Sequence, residues 1–297
     1  MRFHAECALC LFQQRFDRAK DVADQRLRAE YARELARVIS EVDFDRDSSP
    51  LMGARLAEVQ RRMLGIEDDY TEINRRFNGM MLNLYPELRA RVFAAKDPIY
   101  AAMQLSLAGN YIDFGVLLDV TEEKLMELIR NASDCALDAA EYANLRADLA
   151  RGGELVYLHD NCGEVVLDKL LIEAIRAEYP QLHVLSVLRG SPILNDATVE
   201  DALEVGLDAV SDEVIGNGLR DTAGTELEYM PAELRARIER ATLIIGKGQG
   251  NFETLIGSGL NVYFLLLAKC AGYQRWFGLK QYSAVLANER RMRHMDR

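Results

Sequence analysis

Leu155-Val-Tyr-Leu-His-Asp-Asn-Cys-Gly-Glu164 decides the fold. Residues 155–158 are an unbroken apolar run, bounded upstream by Arg151-Gly152-Gly153, which is the pattern of a short buried strand. Asp160, Asn161 and Gly163 break the run. From Glu164 the period changes: Val165, Val166, Leu170, Leu171 and Ile175 fall at helical spacing. Asp160 and Asn161 are therefore expected at the carboxyl end of a strand, just before a helix, where open α/β sheets bind ligands. A carboxylate beside an amide, with Gly163 allowing close backbone approach, suits a hard cation and an anion together. The same residues also make an ordinary strand-to-helix turn with an Asp or Asn cap, so this stretch alone leaves both readings open.

Outward from it, the chain divides by texture near residue 150. Residues 1–150 read mainly as helix: 10–41 as one long charged helix, then 52–63, 73–84, a helix opened by Pro86 over 88–95, and 99–108 after Asp97-Pro98. This region is expected to be a helical bundle or cap. Over 151–297, strand-like runs at 155–158, 183–188, 208–210, 243–245 and 262–266 alternate with helical stretches at 164–178, 198–205, 232–238 and 252–256. That alternation predicts parallel strands joined by crossovers, and a catalytic layer in the second half.

The composition sets outer bounds. The 297 residues are 49% hydrophobic and 28% charged, ordinary for a globular protein. A net charge of −11 disfavours nucleic acid and anionic membranes as partners. A local metal or lysine still allows an anionic small substrate. The start of the chain lacks the apolar core of a signal peptide, and the run 262–268 is too short to span a bilayer. Five unevenly spread cysteines fit reduced thiols, so a cytoplasmic location is expected.

Several constellations can carry chemistry. Arg189 and Asp196 follow the second strand, one β-α-β unit after Asp160, so both reach the same sheet edge. Asp160, Asn161 and Asp196 make an oxygen-ligand set for Mg²⁺ or Mn²⁺, with Co²⁺ and Ni²⁺ as alternatives, and no zinc-type His/Cys spacing lies beside them. The ordinary alternative for Asp196 is an N-cap of the helix expected over 198–205. In Lys247-Gly-Gln-Gly-Asn251 a Gly-rich turn feeds a helix N-terminus, offering N–H groups to phosphate with Lys247 as a positive charge. It lacks the order of a P-loop. In Ala108-Gly-Asn-Tyr-Ile-Asp-Phe-Gly115, Gly109-Asn110 interrupts an apolar helix, and Asp113 shares a face with Asn110 if the helix continues. Cys7-x-x-Cys10 is a weak redox or metal signal. His4, His183 and His294 are scattered, and His159 points to the strand face opposite Asp160.

Taken in chain order, these motifs resemble the metal-dependent damage-control phosphatases. The resemblance rests on Gly109-Asn-Tyr-Ile-Asp113, Asp160-Asn-Cys-Gly-Glu164 with Asp168, Arg189-Gly-Ser-Pro with Asn195-Asp-Ala-Thr198, Lys247-Gly-Gln-Gly-Asn-Phe-Glu253, and Lys269-Cys270. The N-terminal Cys7-x-x-Cys10 is similar to the stand-alone prokaryotic branch. The resemblance implies a three-layer α/β/α sandwich with a mostly parallel sheet and an N-terminal helical region. It implies metal ligation by Asp160, Asn161 and Asp196, and phosphate contacts from the Lys247–Glu253 loop. Two departures stand out: Leu266-Leu-Ala-Lys269 replaces the Arg-Thr-x-Lys signature of the eukaryotic branch, and Cys162 replaces a small apolar residue.

The resulting expectation is a metal-dependent phosphomonoesterase of small phosphorylated metabolites, with catalytic Asp160, Asn161, Asp196 and Lys247. Arg189, Gly248, Gln249, Gly250, Asn251, Asn110, Asp113, Glu164 and Lys269 complete the substrate side, with Asp168 behind them. Two alternatives are an S-adenosylmethionine-dependent carboxyl methyltransferase, against which the lack of an adenosyl-type glycine loop counts, and a non-enzymatic phosphometabolite-binding protein.

Overall fold

In the computed structural model residues 3–113 and 121–292 are described; Phe114, Gly115 and His294 lie outside them. The run 155–158 forms the core of strand β1 (Gly153–Leu158), and all four of its apolar side chains are essentially fully buried. Burying each contributes about 1.5–3 kcal/mol. A strand covered on both faces needs apolar residues throughout, and so reads as a run without alternation. Leu155 and Tyr157 face one core, Val156 and Leu158 another.

Around β1 lie β2 (Leu182–Leu188), β3 (Glu213–Gly216), β4 (Leu243–Lys247), β5 (Val262–Leu267) and β6 (Ala284–Asn288). The sheet order is β3-β2-β1-β4-β5-β6, parallel through β5, with β6 antiparallel at the edge. The chain leaves β1 towards β2 and β3, then returns to β4 on the other side. The carboxyl ends of β1 and β4 therefore flank the point where the winding reverses, the place such sheets reserve for ligands.

One helical layer holds α4 (Thr71–Phe93), α5 (Pro98–Gly109) and α8 (Glu164–Glu178), whose Phe77, Met81, Leu105, Leu167 and Leu171 share a core with Leu155 and Tyr157. The opposite layer holds α10 (Ala232–Arg240), α11 (Gly248–Leu255) and α12 (Ala271–Phe277), contributing Leu234, Phe252 and Tyr273. This is the expected α/β/α sandwich. Helices α6 (Glu122–Arg130), α7 (Ala139–Ala150) and α9 (Val199–Glu204) complete it. At the start of the chain α1 (Ala5–Asp17), α2 (Gln25–Ser40) and α3 (Ser49–Leu64) enclose a small separate core around Phe3, Tyr31, Leu35 and Leu56. The change of texture at residue 150 thus separates secondary structures, while the main core runs across it.

Several elements differ from the sequence reading. The single helix over 10–41 is two, because Asp24 caps α2 by accepting from the N–H groups of Arg26 and Leu27 at 2.8 and 3.1 Å. Pro86 opens no helix but lies inside α4. Its cost of roughly 3 kcal/mol is offset by the buried stripe Phe77, Met81, Leu88 and Val92. Residues 207–209 form a 3₁₀ turn, and the strand comes later, as β3. The helix before Asn110 stops at Gly109 and does not continue to Asp113. There α5 crosses α8 so closely that a Cβ on Gly109 would sit 3.2 Å from the Glu164 Cα.

Candidate active site

At the carboxyl end of β1 the chain turns through Asp160 and Asn161 into α8. An isolated bridge pairs Asn161 with Asp196, and the Ala197 N–H donates to the Asp160 carbonyl at 2.7 Å, so the two loops are stitched together. Glycine is obligatory at two points beside them. Gly163 has φ +78° and Gly248 φ +73°; a Cβ on Gly248 would lie 1.8 Å from Asp160 Oδ2. The first turn of α11 is thus pressed against the Asp160 carboxylate, as the Gly-rich motif requires.

The polar side chains here form one buried network. Arg189 is its hub: Nη2 donates to Asp160 Oδ1 at 2.8 Å, Nε to Asp196 Oδ2 at 2.5 Å and Nη1 to Asn251 Oδ1 at 3.1 Å. Asn251 Nδ2 donates to the carbonyls of Lys247 and His159 at 2.8 and 3.1 Å, tying α11 to β1. Asn161 Nδ2 donates to Asp160 Oδ2 at 2.8 Å and Glu164 Oε2 at 3.0 Å. Asn110 Nδ2 reaches both Glu164 oxygens at 3.0 Å, while its Oδ1 accepts from the Leu267 N–H. Lys269 Nζ pairs with Asp113 at 2.5 Å. Asp160, Asn161, Asp196, Glu164, Asn110, Arg189, Asn251 and Lys247 therefore meet as one cluster. Gln249 is turned towards Cys270, with Nε2 3.6 Å from Sγ.

Lys247 differs most from expectation. Its side chain is fully buried and its ammonium points inward, to Glu164 Oε1 at 2.6 Å, Ser106 Oγ at 2.7 Å and Asp168 Oδ1 at 3.1 Å. The reason is electrostatic: two buried carboxylates need a counter-charge. Behind it, His159 Nδ1 lies 3.3 Å from Asp168 Oδ2 and Nε2 3.1 Å from Ser186 Oγ. Ser106 and Thr225 escaped the sequence reading. Ser106 carried a signal, lying one helical turn before Asn110 on α5. Thr225, which donates to Asn251 Oδ1 at 2.8 Å, carried none.

Charge defines what this cluster can hold. Among the described residues, five buried carboxylates (Asp113, Asp160, Glu164, Asp168, Asp196) gather with three buried cations (Arg189, Lys247, Lys269). Burial, with the charges of Asp196 and Glu164, pushes the Asp160 carboxyl well above its usual range despite Arg189. Burial likewise pushes Asp196 up to about 6, again against Arg189. Burial opposes the charge on Asp168 too, but Lys247 and His159 hold that carboxyl below its usual range. Asp160 and Asp196 are thus the carboxylates whose charge the cluster compensates least, beside the Asn161 amide. An all-oxygen set with excess charge fits a hard divalent cation. Among the described residues no three or more His, Cys, Asp or Glu side chains are grouped to hold a metal ion, so a cation here would need the Asn161 amide oxygen as its third protein ligand. Shape alone would mislead: a surface cleft of about 540 Å³, lined by Arg75, Arg76, Met80 and Glu122, contains none of these groups.

Comparison with known proteins gives the family. Residues 3–285 match the model of the damage-control phosphatase ARMT1-like domain. The chain belongs to that family. It is 31% identical over 282 residues to a damage-control phosphatase of Archaeoglobus fulgidus, covering 94% of this chain and 96% of that one. It is 30% identical to a damage-control phosphatase of Pyrococcus horikoshii, covering 93% and 94%. The crystal structure of a DUF89 family protein from Pyrococcus horikoshii superposes with a TM-score of 0.78 at 27% identity, covering 97% of this chain and 99% of that one. Family membership supports phosphatase function. No helix of the described residues is long and apolar enough to cross a membrane.

Proposed function

We propose that this damage-control phosphatase is a metal-dependent phosphomonoesterase of small phosphorylated metabolites, in which Asp160, Asn161 and Asp196 hold a divalent cation such as Mg²⁺ or Mn²⁺. The observation that carries the reading is the paired, buried Asp160 and Asp196, joined through Arg189, with Asp160 pressed against the N-terminus of α11 at the winding reversal of the sheet. When bound, the cation supplies Lewis-acid polarisation of a phosphate oxygen and neutralises developing charge.

The chain's own residues do the rest. Arg189 fixes the two carboxylates relative to each other. The first turn of α11, from Gly248 to Asn251, offers N–H groups and the positive end of a helix to phosphate oxygens. Lys269 and Asp113 close the site from the β5 side. Both Asp160 oxygens already accept hydrogen bonds, Oδ1 from Arg189 and Oδ2 from Asn161. Lys247 serves the reaction from behind, by holding Glu164 and Asp168. Asp196→Asn, which keeps the shape and removes the charge, tests the reading. Circular dichroism should stay native while Mn²⁺-supported release of phosphate from p-nitrophenyl phosphate is lost. Full activity in that variant would end the assignment.

A further inference from the structure

We infer that Glu164 sets the orientation of the Asn161 amide, so that its oxygen and not its nitrogen is the end offered to a cation. The inference rests on the proposed cation site and assigns Glu164 a positioning role within it.

Asn161 Nδ2 sits 2.8 Å from Asp160 Oδ2 and 3.0 Å from Glu164 Oε2. An amide oxygen placed there would confront two carboxylate oxygens, so this end must be the nitrogen. Its two hydrogens are then committed, and Oδ1 is the atom left to offer. The Glu164 oxygens in turn can only accept, because every neighbour donates to them. Lys247 Nζ lies 2.6 Å from Oε1, and Asn110 Nδ2 is 3.0 Å from each oxygen. Asn110 cannot turn over, since its Oδ1 is held by the Leu267 N–H at 3.0 Å. Lys247 cannot swing away, since Ser106 and Asp168 hold the same ammonium and His159 abuts Asp168. Glu164, Asp168 and Lys247 are all fully buried, so no water can substitute as a partner without rearrangement. Lys247 donates to both Asp168 and Glu164, and the Asn161 nitrogen donates to Glu164, so each role from Asp168 to the Asn161 amide has one assignment.

This makes an isosteric change informative. In Glu164→Gln, Lys247 retains the glutamine oxygen, and the new NH₂ group faces Asn161 Nδ2. Two donors cannot share that position, and turning the amide over sets its oxygen against Asp160 Oδ2, so Asn161 either presents nitrogen, which is no ligand for a hard cation, or leaves its place beside Asp160. Adding Asn161→Asp removes the donor–donor conflict: a carboxylate accepts from the glutamine and still offers its other oxygen, the total charge of the pair is unchanged, and a bound cation offsets the oxygen that now faces Asp160 Oδ2.

The test is Mn²⁺ binding to metal-stripped protein, read by electron paramagnetic resonance and calorimetry, with circular dichroism as the check on folding. Wild type should bind. Glu164→Gln should bind roughly 10–100-fold more weakly, the usual loss when a partner of a metal ligand is removed. Asn161→Asp/Glu164→Gln should restore affinity towards wild type, which generic damage to the core would not do. If Glu164→Gln does not fold, the double variant carries the test alone, with binding in support and no binding against. Wild-type affinity in folded Glu164→Gln, or a loss that Asn161→Asp leaves in place, overturns this inference alone. No Mn²⁺ binding by the wild type overturns the cation reading and this inference together.

Discussion

Lys247→Met keeps most of the side-chain stem and deletes the ammonium. In the native protein that ammonium lies between Glu164 and Asp168, 2.6 and 3.1 Å away, with all three groups fully buried. Removing one partner of such a cluster costs about 3–5 kcal/mol, because charge is left buried without compensation. Domains are commonly stable by only ~5–15 kcal/mol, so urea denaturation followed by circular dichroism will resolve the deficit. The pH dependence gives the sharper readout. In the wild type, burial opposes the Lys247 charge, yet Asp168 and Glu164 hold its pKa above the ordinary lysine value. Its stabilisation is therefore complete below that ordinary value, near 10.4, and lost only above it. Asp168, held low against burial by Lys247 and His159, contributes stability that is lost only as pH falls below the ordinary carboxylate range. Neither contribution changes between pH 5 and 8 in the wild type. In the variant Lys247 no longer offsets the burial that opposes the Asp168 charge, so the penalty is full at pH 8 and shrinks as that carboxyl takes up a proton towards pH 5. The deficit should be largest at pH 8 and smaller at pH 5, with a parallel fall in kcat as Glu164 loses its partner. A variant as stable as wild type at pH 8, with only KM raised, would show that Nζ serves the substrate directly and would refute the inward placement.

Two further outcomes follow from the same geometry. Gly248→Ala should cut hydrolysis on the order of a hundredfold, because the added Cβ lands 1.8 Å from Asp160 Oδ2 and displaces that carboxylate; Gly257→Ala, with φ +83° but open space around it, is the control for backbone strain alone and should leave kcat near wild type. Cys7→Ser/Cys10→Ser should keep hydrolysis within about tenfold, since an oxygen-ligated site needs no thiolate; burial and the Glu253 charge push the Cys7 thiol up to about 11, away from reactivity.

The sequence made legible what local pattern encodes. Residues 155–158 had to be a strand, and the change of period at Glu164 placed Asp160 and Asn161 at its end. The glycine at 248 marked a turn where side chains cannot fit. Strands at the edges left weaker traces: β3 is four residues long and half-buried, and β6 pairs on one side only with β5. Pro86 read as a helix start because its local cost was visible and the compensating stripe packed against the sheet was not. Lys247 was the least legible. A lysine in a Gly-rich turn looks solvated or phosphate-facing, and its partners Glu164 and Ser106 are 83 and 141 residues away in the chain. Only the fold reveals that two carboxylates already claim its charge.

The central claim is that the Asp160–Asn161–Asp196 cluster hydrolyses phosphomonoesters with a bound divalent cation. The most direct measurement is phosphate release from p-nitrophenyl phosphate by chelator-stripped protein, before and after titration with Mg²⁺ or Mn²⁺. The account predicts no hydrolysis in the stripped protein and saturable recovery as cation is added. Hydrolysis that persists undiminished in the stripped protein, or folded protein that no divalent cation activates, would contradict it.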